Sequence, residues 1–247
     1  MTTVLKLGGS VITEKEIEGT VATDRLGIIA EALGSRTPTG LVIVIGGGSF
    51  GHPAAARHGM STTDGTTDAA AVSEVHAAML DLVTQVVDRL IDAGLPAMAV
   101  HPLSLAWRDA DGLHLAHEVV QAAVDEGFVP VIHGDGVVTT ERGVTILSGD
   151  ELVVALARTL GAERVGLCTG VSGVLDADGT VIEHIERFDD VAEHVGESEA
   201  TDVTGGMAGK VRTLLELGVP AVVFDVAGLE SFLDGGQPGT TIDPTHA

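Results

Sequence analysis

The sequence predicts an α/β fold, an open αβα sandwich with a mainly parallel central sheet, and three observations predict it. Leu41-Val42-Ile43-Val44-Ile45 is an aliphatic run without polar alternation, which reads as a parallel strand buried on both faces. Similar runs recur with helix-length segments between them, the longest placing Val72, Val75, Met79, Leu82, Val83, Val86 and Leu90 at helical spacing. Glycine clusters follow the strands directly, and open parallel sheets bind ligands beyond the carboxyl ends of their strands. With 33 glycines, 45% hydrophobic residues and only 2% aromatics, the core has to be built from Val, Leu, Ile and Ala. The 247 residues show no interdomain linker and no internal repeat, so a single domain is expected.

Taken in order, Thr2 to Leu7 reads as a strand running into Gly8-Gly9-Ser10, and Val11 to Thr23 as a hairpin around Gly19 that carries Lys15. Asp24 opens a helix to about Leu33, and Gly34 to Gly40 leads to the central strand. Pro53 starts a short helix, Gly59 to Gly65 is a polar loop, and a long helix runs from about Thr67 to Ala93 before Gly94 stops it. Leu95 to Val100 is a strand, and His101 to His117 is irregular. A helix from Ala116 to Glu126 and a strand from Phe128 to Ile132 then lead into the loop His133-Gly134-Asp135-Gly136. Val144 to Leu147 leads into Ser148-Gly149-Asp150, where a helix to about Leu160 begins, and Arg164 to Cys168 is a further buried strand. Asp176-Ala177-Asp178-Gly179 lacks the later ligands of a calcium loop and reads as a hairpin turn. Phe188 to Asp202 is an acidic, solvated loop. A helix opened by Thr204-Gly205-Gly206 then carries Lys210 to Leu217, Pro220 to Phe224 is a strand, and Gly239 to Ile242 is a last edge strand.

Gly46-Gly47-Gly48-Ser49-Phe50-Gly51-His52 organises the chain. Three glycines at the end of a buried strand let backbone N–H groups approach an anion closely, yet neither a Walker lysine nor clean dinucleotide spacing follows. Lysine usage sharpens the reading: only Lys6, Lys15 and Lys210 occur, all in glycine-rich segments, while arginine supplies the other ten of 13 cations. A surface that sheds its lysines keeps them where an ammonium is needed, here as phosphate ligands. The net charge of −23, from 36 acidic and 13 basic residues, argues against nucleic acid and anionic membranes as partners and fits a salt-adapted protein. Cys168 is the single cysteine, the amino terminus shows no leader, and no apolar run approaches the roughly 18 residues of a membrane helix, so a cytoplasmic protein is expected. His101, His114 and His117 have no metal-ligand spacing, and no metal site is assigned to side chains.

The ordered motifs KLGGSVITEK, IGGGSFGH, GDGVV, ILSGDE and TGGMAGK resemble the amino acid kinase superfamily over nearly the whole chain. The histidine closing GGGSFGH and the Lys-x8-Lys spacing of Lys6 and Lys15 look most like its isopentenyl phosphate kinase family. That resemblance implies ATP-dependent phosphorylation of isopentenyl phosphate in isoprenoid biosynthesis, with ATP and Mg²⁺ as cofactors and a homodimer as the assembly. It implies an acceptor-binding half over about 1–140 and a nucleotide-binding half over about 141–247. Lys6 and Lys210 would hold the nucleotide phosphates together with Gly8, Gly9, Ser10, Gly47 and Gly206, and Lys15 would lie over the transferring group. Asp150 would hold the lysines or the Mg²⁺-nucleotide, or cap its helix. Gly46, Gly47, His52 and Gly149 would bind the acceptor phosphate.

The chemistry is consistent. Phosphoryl transfer needs positioning and charge neutralisation rather than covalent help. A phosphate monoester with a second pKa of about 6 is already its own nucleophile at pH 7, so His52 has only to donate a hydrogen bond. Val75, Met79 and Val83 are the candidates for an apolar pocket holding the isoprenoid tail. Alternatives are a fosfomycin or nucleoside-monophosphate kinase of the same fold, and a non-catalytic small-molecule binder. The three lysines argue against the last, and an acceptor carboxylate would call for Arg or Asn in place of His52.

Overall fold

The computed structural model describes residues 1–36, 38–192 and 206–243. Among them, β1 (Thr3–Leu7), α1 (Gly9–Ile12), α2 (Thr23–Arg36), β2 (Leu41–Ile45), α3 (Gly48–Arg57) and α4 (Ala69–Asp92) come first. β3 (Ala97–Val100), β4 (Ala106–Asp109), β5 (Gly112–Leu115), α5 (Glu118–Asp125), β6 (Val129–His133), β7 (Asp135–Thr139) and β8 (Gly143–Leu147) follow. α6 (Gly149–Thr159), β9 (Arg164–Cys168), β10 (His184–Ile185), α7 (Gly206–Leu215), β11 (Ala221–Phe224), α8 (Leu229–Leu233) and β12 (Thr240–Ile242) complete the order.

The main sheet has the order β10-β12-β11-β9-β1-β2-β6-β3, and only the β11–β12 pairing is antiparallel. Its central strands β1 and β2 are buried throughout, β2 as an unbroken aliphatic run and β1 with only Thr3 and Lys6 departing from one. Alternate residues nevertheless serve two cores. Leu5, Leu7, Ile43 and Ile45 pack with Leu26, Ile29, Leu82 and Leu90 of α2 and α4. Val4, Val42 and Val44 pack with Leu152, Leu156, Val211 and Leu214 of α6 and α7. Helices therefore cover both faces, and the sandwich is the predicted one. α4 has the length and average apolarity of a membrane-crossing helix, but Leu82, Val83, Val86 and Leu90 are fully buried against the sheet, which makes it a core helix.

Several local expectations are corrected. Val11–Thr23 is not a hairpin: Gly9–Ile12 is helical, and only the bridge between Thr13 and Val21 pairs across the turn. His101–His117 is not irregular, because β4 and β5 form an antiparallel hairpin in which Trp107 pairs with His114. His133–Gly136 is not a loop; Asp135 begins β7, which joins β4 and β8 in a second sheet of order β5-β4-β7-β8. β12 is not an edge strand, since β10 lies outside it. The turn at Asp176–Gly179 is as expected, with Leu175 bridging Val181 and Gly179 at a φ of 79°. Of the acidic stretch, Phe188–Asp190 forms a short 3-10 helix, while 193–202, like Thr204 and Gly205, lies outside the described residues.

Candidate active site

The site assembles at the carboxyl ends of β1 and β2. In β1, Lys6 lies on the same face as Val4, so its side chain runs towards α6. There Lys6 Nζ donates to Asp150 Oδ1 at 2.6 Å, and Lys210 Nζ from α7 stands 3.9 Å from Asp150 Oδ2. Lys6 and Asp150 are 7% and 8% exposed, a depth at which charges persist only when paired. Asp150 is not the helix cap: Ser148 Oγ accepts from the backbone N–H of Glu151 at 3.2 Å, and Glu151 Oε2 accepts from that of Ser148 at 3.0 Å. With the cap supplied by Ser148, the Asp150 carboxylate faces the two lysines.

The two glycine loops interlock. A Cβ on Gly9 would fall on the backbone N and Cα of Gly48, and one on Gly46 would lie 2.8 Å from Gly9 N. Backbone therefore meets backbone where any side chain would separate them. Gly48 adopts a φ of 48°, and its Cβ position is taken by the Thr13 hydroxyl. That hydroxyl donates to Gly9 O at 2.7 Å and accepts from Ser49 N at 3.0 Å, tying the loops together. Nothing in the glycine pattern pointed to Thr13. Gly149 completes the packing, its Cβ position 3.2 Å from Lys6 Cε and 3.6 Å from Ile45 O.

Helix α3 starts at Gly48, not at Pro53, so His52 lies within its second turn. Pro53 has no N–H to give the Ser49 carbonyl, and Gly19 N fills that place at 2.9 Å. The freed carbonyl thus anchors the Lys15 turn over the start of α3, and Arg57 strengthens the join by pairing with Glu18 at 2.5 Å. Lys15 itself is exposed. His52 is partly buried, with Cδ2 3.4 Å from the Cβ position of Gly47, so the imidazole folds back over the glycine loop. Gly8 closes against Cys168 O, Ser10 is exposed at α1, and Gly206 begins α7. Burial pushes the Cys168 thiol up to about 12, leaving it an inert core residue.

A sequence model of the amino acid kinase family matches residues 1–225. The chain is 52% identical over 241 residues to an isopentenyl phosphate kinase of Haloferax volcanii, covering 97% of each. It is an amino acid kinase of the isopentenyl phosphate kinase family. A second such kinase, from Methanothermobacter thermautotrophicus, is 34% identical over 98% of this chain and 99% of the relative. A solved structure described as isopentenyl phosphate kinase superposes with a TM-score of 0.85 at 30% identity, over 98% of this chain and all of that one.

In this kinase, Val75, Met79 and Val83 are not pocket residues: all three are at most 2% exposed, and Met79 Sδ lies 2.6 Å from the Cβ position of Gly51, beneath the glycine loop. An open cavity of about 500 Å³ lies on the neighbouring face of α4, lined by Val72, His76, Leu103, Val138 and Val144 among others. Helical spacing identified the helix but could not say which of its faces the second sheet leaves uncovered.

Proposed function

We propose that this kinase transfers the γ-phosphoryl group of ATP to isopentenyl phosphate, giving isopentenyl diphosphate and ADP. The observation that carries the reading is the Lys6–Asp150–Lys210 cluster at the strand ends, set against the interlocked glycine loops. Lys6 and Lys210 offer two ammoniums to the nucleotide phosphates, and Asp150 fixes their positions. Gly8, Gly9, Ser10, Gly47 and Gly206 supply the backbone that approaches the nucleotide. Lys15, on its anchored turn, neutralises charge on the transferring group, and His52, with Gly46, Gly47 and Gly149, holds the acceptor phosphate in line. The apolar lining of the α4 cavity suits a short hydrocarbon tail better than a nucleoside, which would ask for aromatic stacking and base-edge partners.

Among the described residues no group of three His, Cys, Asp or Glu could hold a metal, and the Asp150 carboxylate is taken up by lysines. A Mg²⁺ would therefore be carried by the phosphate oxygens of the nucleotide, where it would neutralise charge. The protein's own share is to place lysines and amides and to keep the acceptor oriented. We further propose a cytoplasmic homodimer with an acceptor half over about 1–140 and a nucleotide half over about 141–247. Identity to the Haloferax kinase and the charge of −23 support adaptation to high salt.

The test is ATP-dependent turnover of isopentenyl phosphate beside uridine monophosphate, acetylglutamate and fosfomycin, in high-potassium buffer with Mg²⁺. Conversion of isopentenyl phosphate alone, reduced about 10²- to 10³-fold in His52→Ala, is expected. Preferential turnover of another acceptor would overturn the substrate.

A further inference from the structure

One ionisable side chain on the cavity wall has no part in the mechanism above. His76, on α4, has its Nδ1 2.6 Å from Asp135 Oδ2, and the Asp135 side chain is fully buried. Asp135 Oδ1 accepts from Gly136 N at 2.7 Å, so the carboxylate is oriented from its own strand and aimed at the imidazole. Because a carboxylate accepts, Nδ1 of His76 carries a proton towards Asp135, and Nε2 is left for a ligand; to hold an anion it must carry a proton as well, with the buried Asp135 carboxylate as the counter-ion. The neighbouring His133 has fixed roles of its own. His133 Nδ1 donates to Gly134 O at 3.0 Å, which makes its Nε2 the acceptor for His101 Nδ1, also at 3.0 Å. Burial holds His133 below its ordinary value, in keeping with that neutral state.

His76 also stands where head and tail of an acceptor would meet. Three residues further along α4, Met79 packs under Gly47 and Gly51 of the anion loop. On the other side, Gly134, next to Asp135, donates to Ile45 O at 3.2 Å, and its Cβ position lies 3.5 Å from Gly149 N. His76 is thus bracketed by the two glycine segments assigned to the acceptor phosphate, while its ring lines the apolar cavity.

We propose that His76 is a second acceptor-binding imidazole. Oriented by Asp135, the ring binds as an imidazolium, its Nε2–H donating to an oxygen of a phosphate monoester whose short apolar tail fills the cavity. The inference rests on the acceptor reading above. It makes selection of the acceptor depend on two histidines from two helices: His52 at the phosphate, and His76 where the phosphate joins the tail.

The experiment is steady-state kinetics of wild type, His76→Leu, His76→Gln and Asp135→Asn with isopentenyl phosphate and ATP, each variant first checked for a cooperative thermal transition. Losing one hydrogen bond to a charged group predicts a KM for isopentenyl phosphate about ten- to a hundredfold higher in His76→Leu, with the KM for ATP unchanged. His76→Gln, which keeps a donor at the outer end, is expected to recover most of the loss, and Asp135→Asn to fall between. An unchanged acceptor KM in His76→Leu, or an equal rise in both KM values, overturns the inference alone. Absence of wild-type turnover with isopentenyl phosphate overturns the acceptor reading and this inference with it.

Discussion

Lys6 and Asp150, 144 residues apart in the chain, are joined by a 2.6 Å ion pair inside the protein, with side chains 9% and 10% exposed. The pair links β1 to the first turn of α6 and so serves both as a packing contact and as the frame of the nucleotide site. Removing one partner of such a pair strands the other charge in a poorly solvated place, at a cost of about 3–5 kcal/mol.

Asp150→Asn is therefore expected to lower stability by roughly that amount, and Lys6→Met by less, because Lys210 still faces the carboxylate. Together they should cost less than the sum, by about 0.5–3 kcal/mol. Chemical denaturation of the four proteins checks this. Strict additivity would mean that the two side chains do not sense each other. Both single variants should also lose turnover, because the ammoniums that neutralise phosphate are displaced.

Gly9→Ala tests the interlocked loops. The added methyl would collide with the backbone of Gly48, and backbone cannot rotate aside as a side chain can. Overpacking of this kind costs about 1–3 kcal/mol. For a chain of this size that is roughly 2–12 °C in melting temperature, with a matching weakening of nucleotide binding. Gly59→Ala is the control: Gly59 has a φ of 62° and nothing within 4 Å of its Cβ position, so the change should cost backbone strain without the loss of binding.

How much of this was legible in the sequence varies with the range of the cause. β1, β2 and β9 could be read directly, because strands buried on both faces carry their environment in their composition. Lys6 and Lys210 could be picked out because glycine and scarce lysine coincide, and Asp150 because it stands at a strand-to-helix junction. The start of α3 was misplaced because proline usually opens a helix, whereas here the turn at Gly19 compensates for the missing N–H of Pro53, a contact 30 residues away. β4 and β7 were missed because Arg108 and Asp135 interrupt any apolar pattern. Their partners, Glu151 and His76, come from distant helices and cannot be seen locally. The Thr13 bridge and the displaced cavity are tertiary facts of the same kind.

The buried histidine sets an acid limit. Burial lowers the His133 pKa from its ordinary 6.5, outweighing the upward pull of Asp135 and the Gly134 carbonyl. Below about 6.5 the unfolded chain takes up a proton that the native state resists, so the unfolded state binds more protons and stability falls as pH falls. The loss continues down to the native pKa and then stops. Carboxylates held low by ion pairs, such as Glu74, Asp109 and Asp234, act below their ordinary 4.5 and 3.8 and so in a separate window. Denaturation midpoints between pH 7.5 and 5, compared for wild type and His133→Gln, should fall towards acid in wild type and stay flatter in the variant. Parallel curves would assign the acid sensitivity elsewhere.

Salt supplies the last prediction, and two opposing effects decide its sign. Exposed pairs such as Arg57 with Glu18 and Glu74, and Arg36 with Asp234, lose their attraction as ions screen them. The same screening relieves repulsion among 36 acidic residues set against 13 cations. Among the described residues most of the attractive pairs involve exposed side chains, each worth about 1 kcal/mol or less, whereas repulsion at a net −23 acts among all the surface carboxylates, so relief of repulsion dominates. At about 0.1 M salt the screening length is about 10 Å and at 1 M about 3 Å, so most of the gain should come within that range. The melting temperature should therefore climb steeply with KCl up to about 1 M and more gently beyond it. Substituting exposed Asp81 and Asp88 of α4 by lysine should reduce the dependence, whereas a melting temperature indifferent to KCl would show that the acidic surface carries no stability cost.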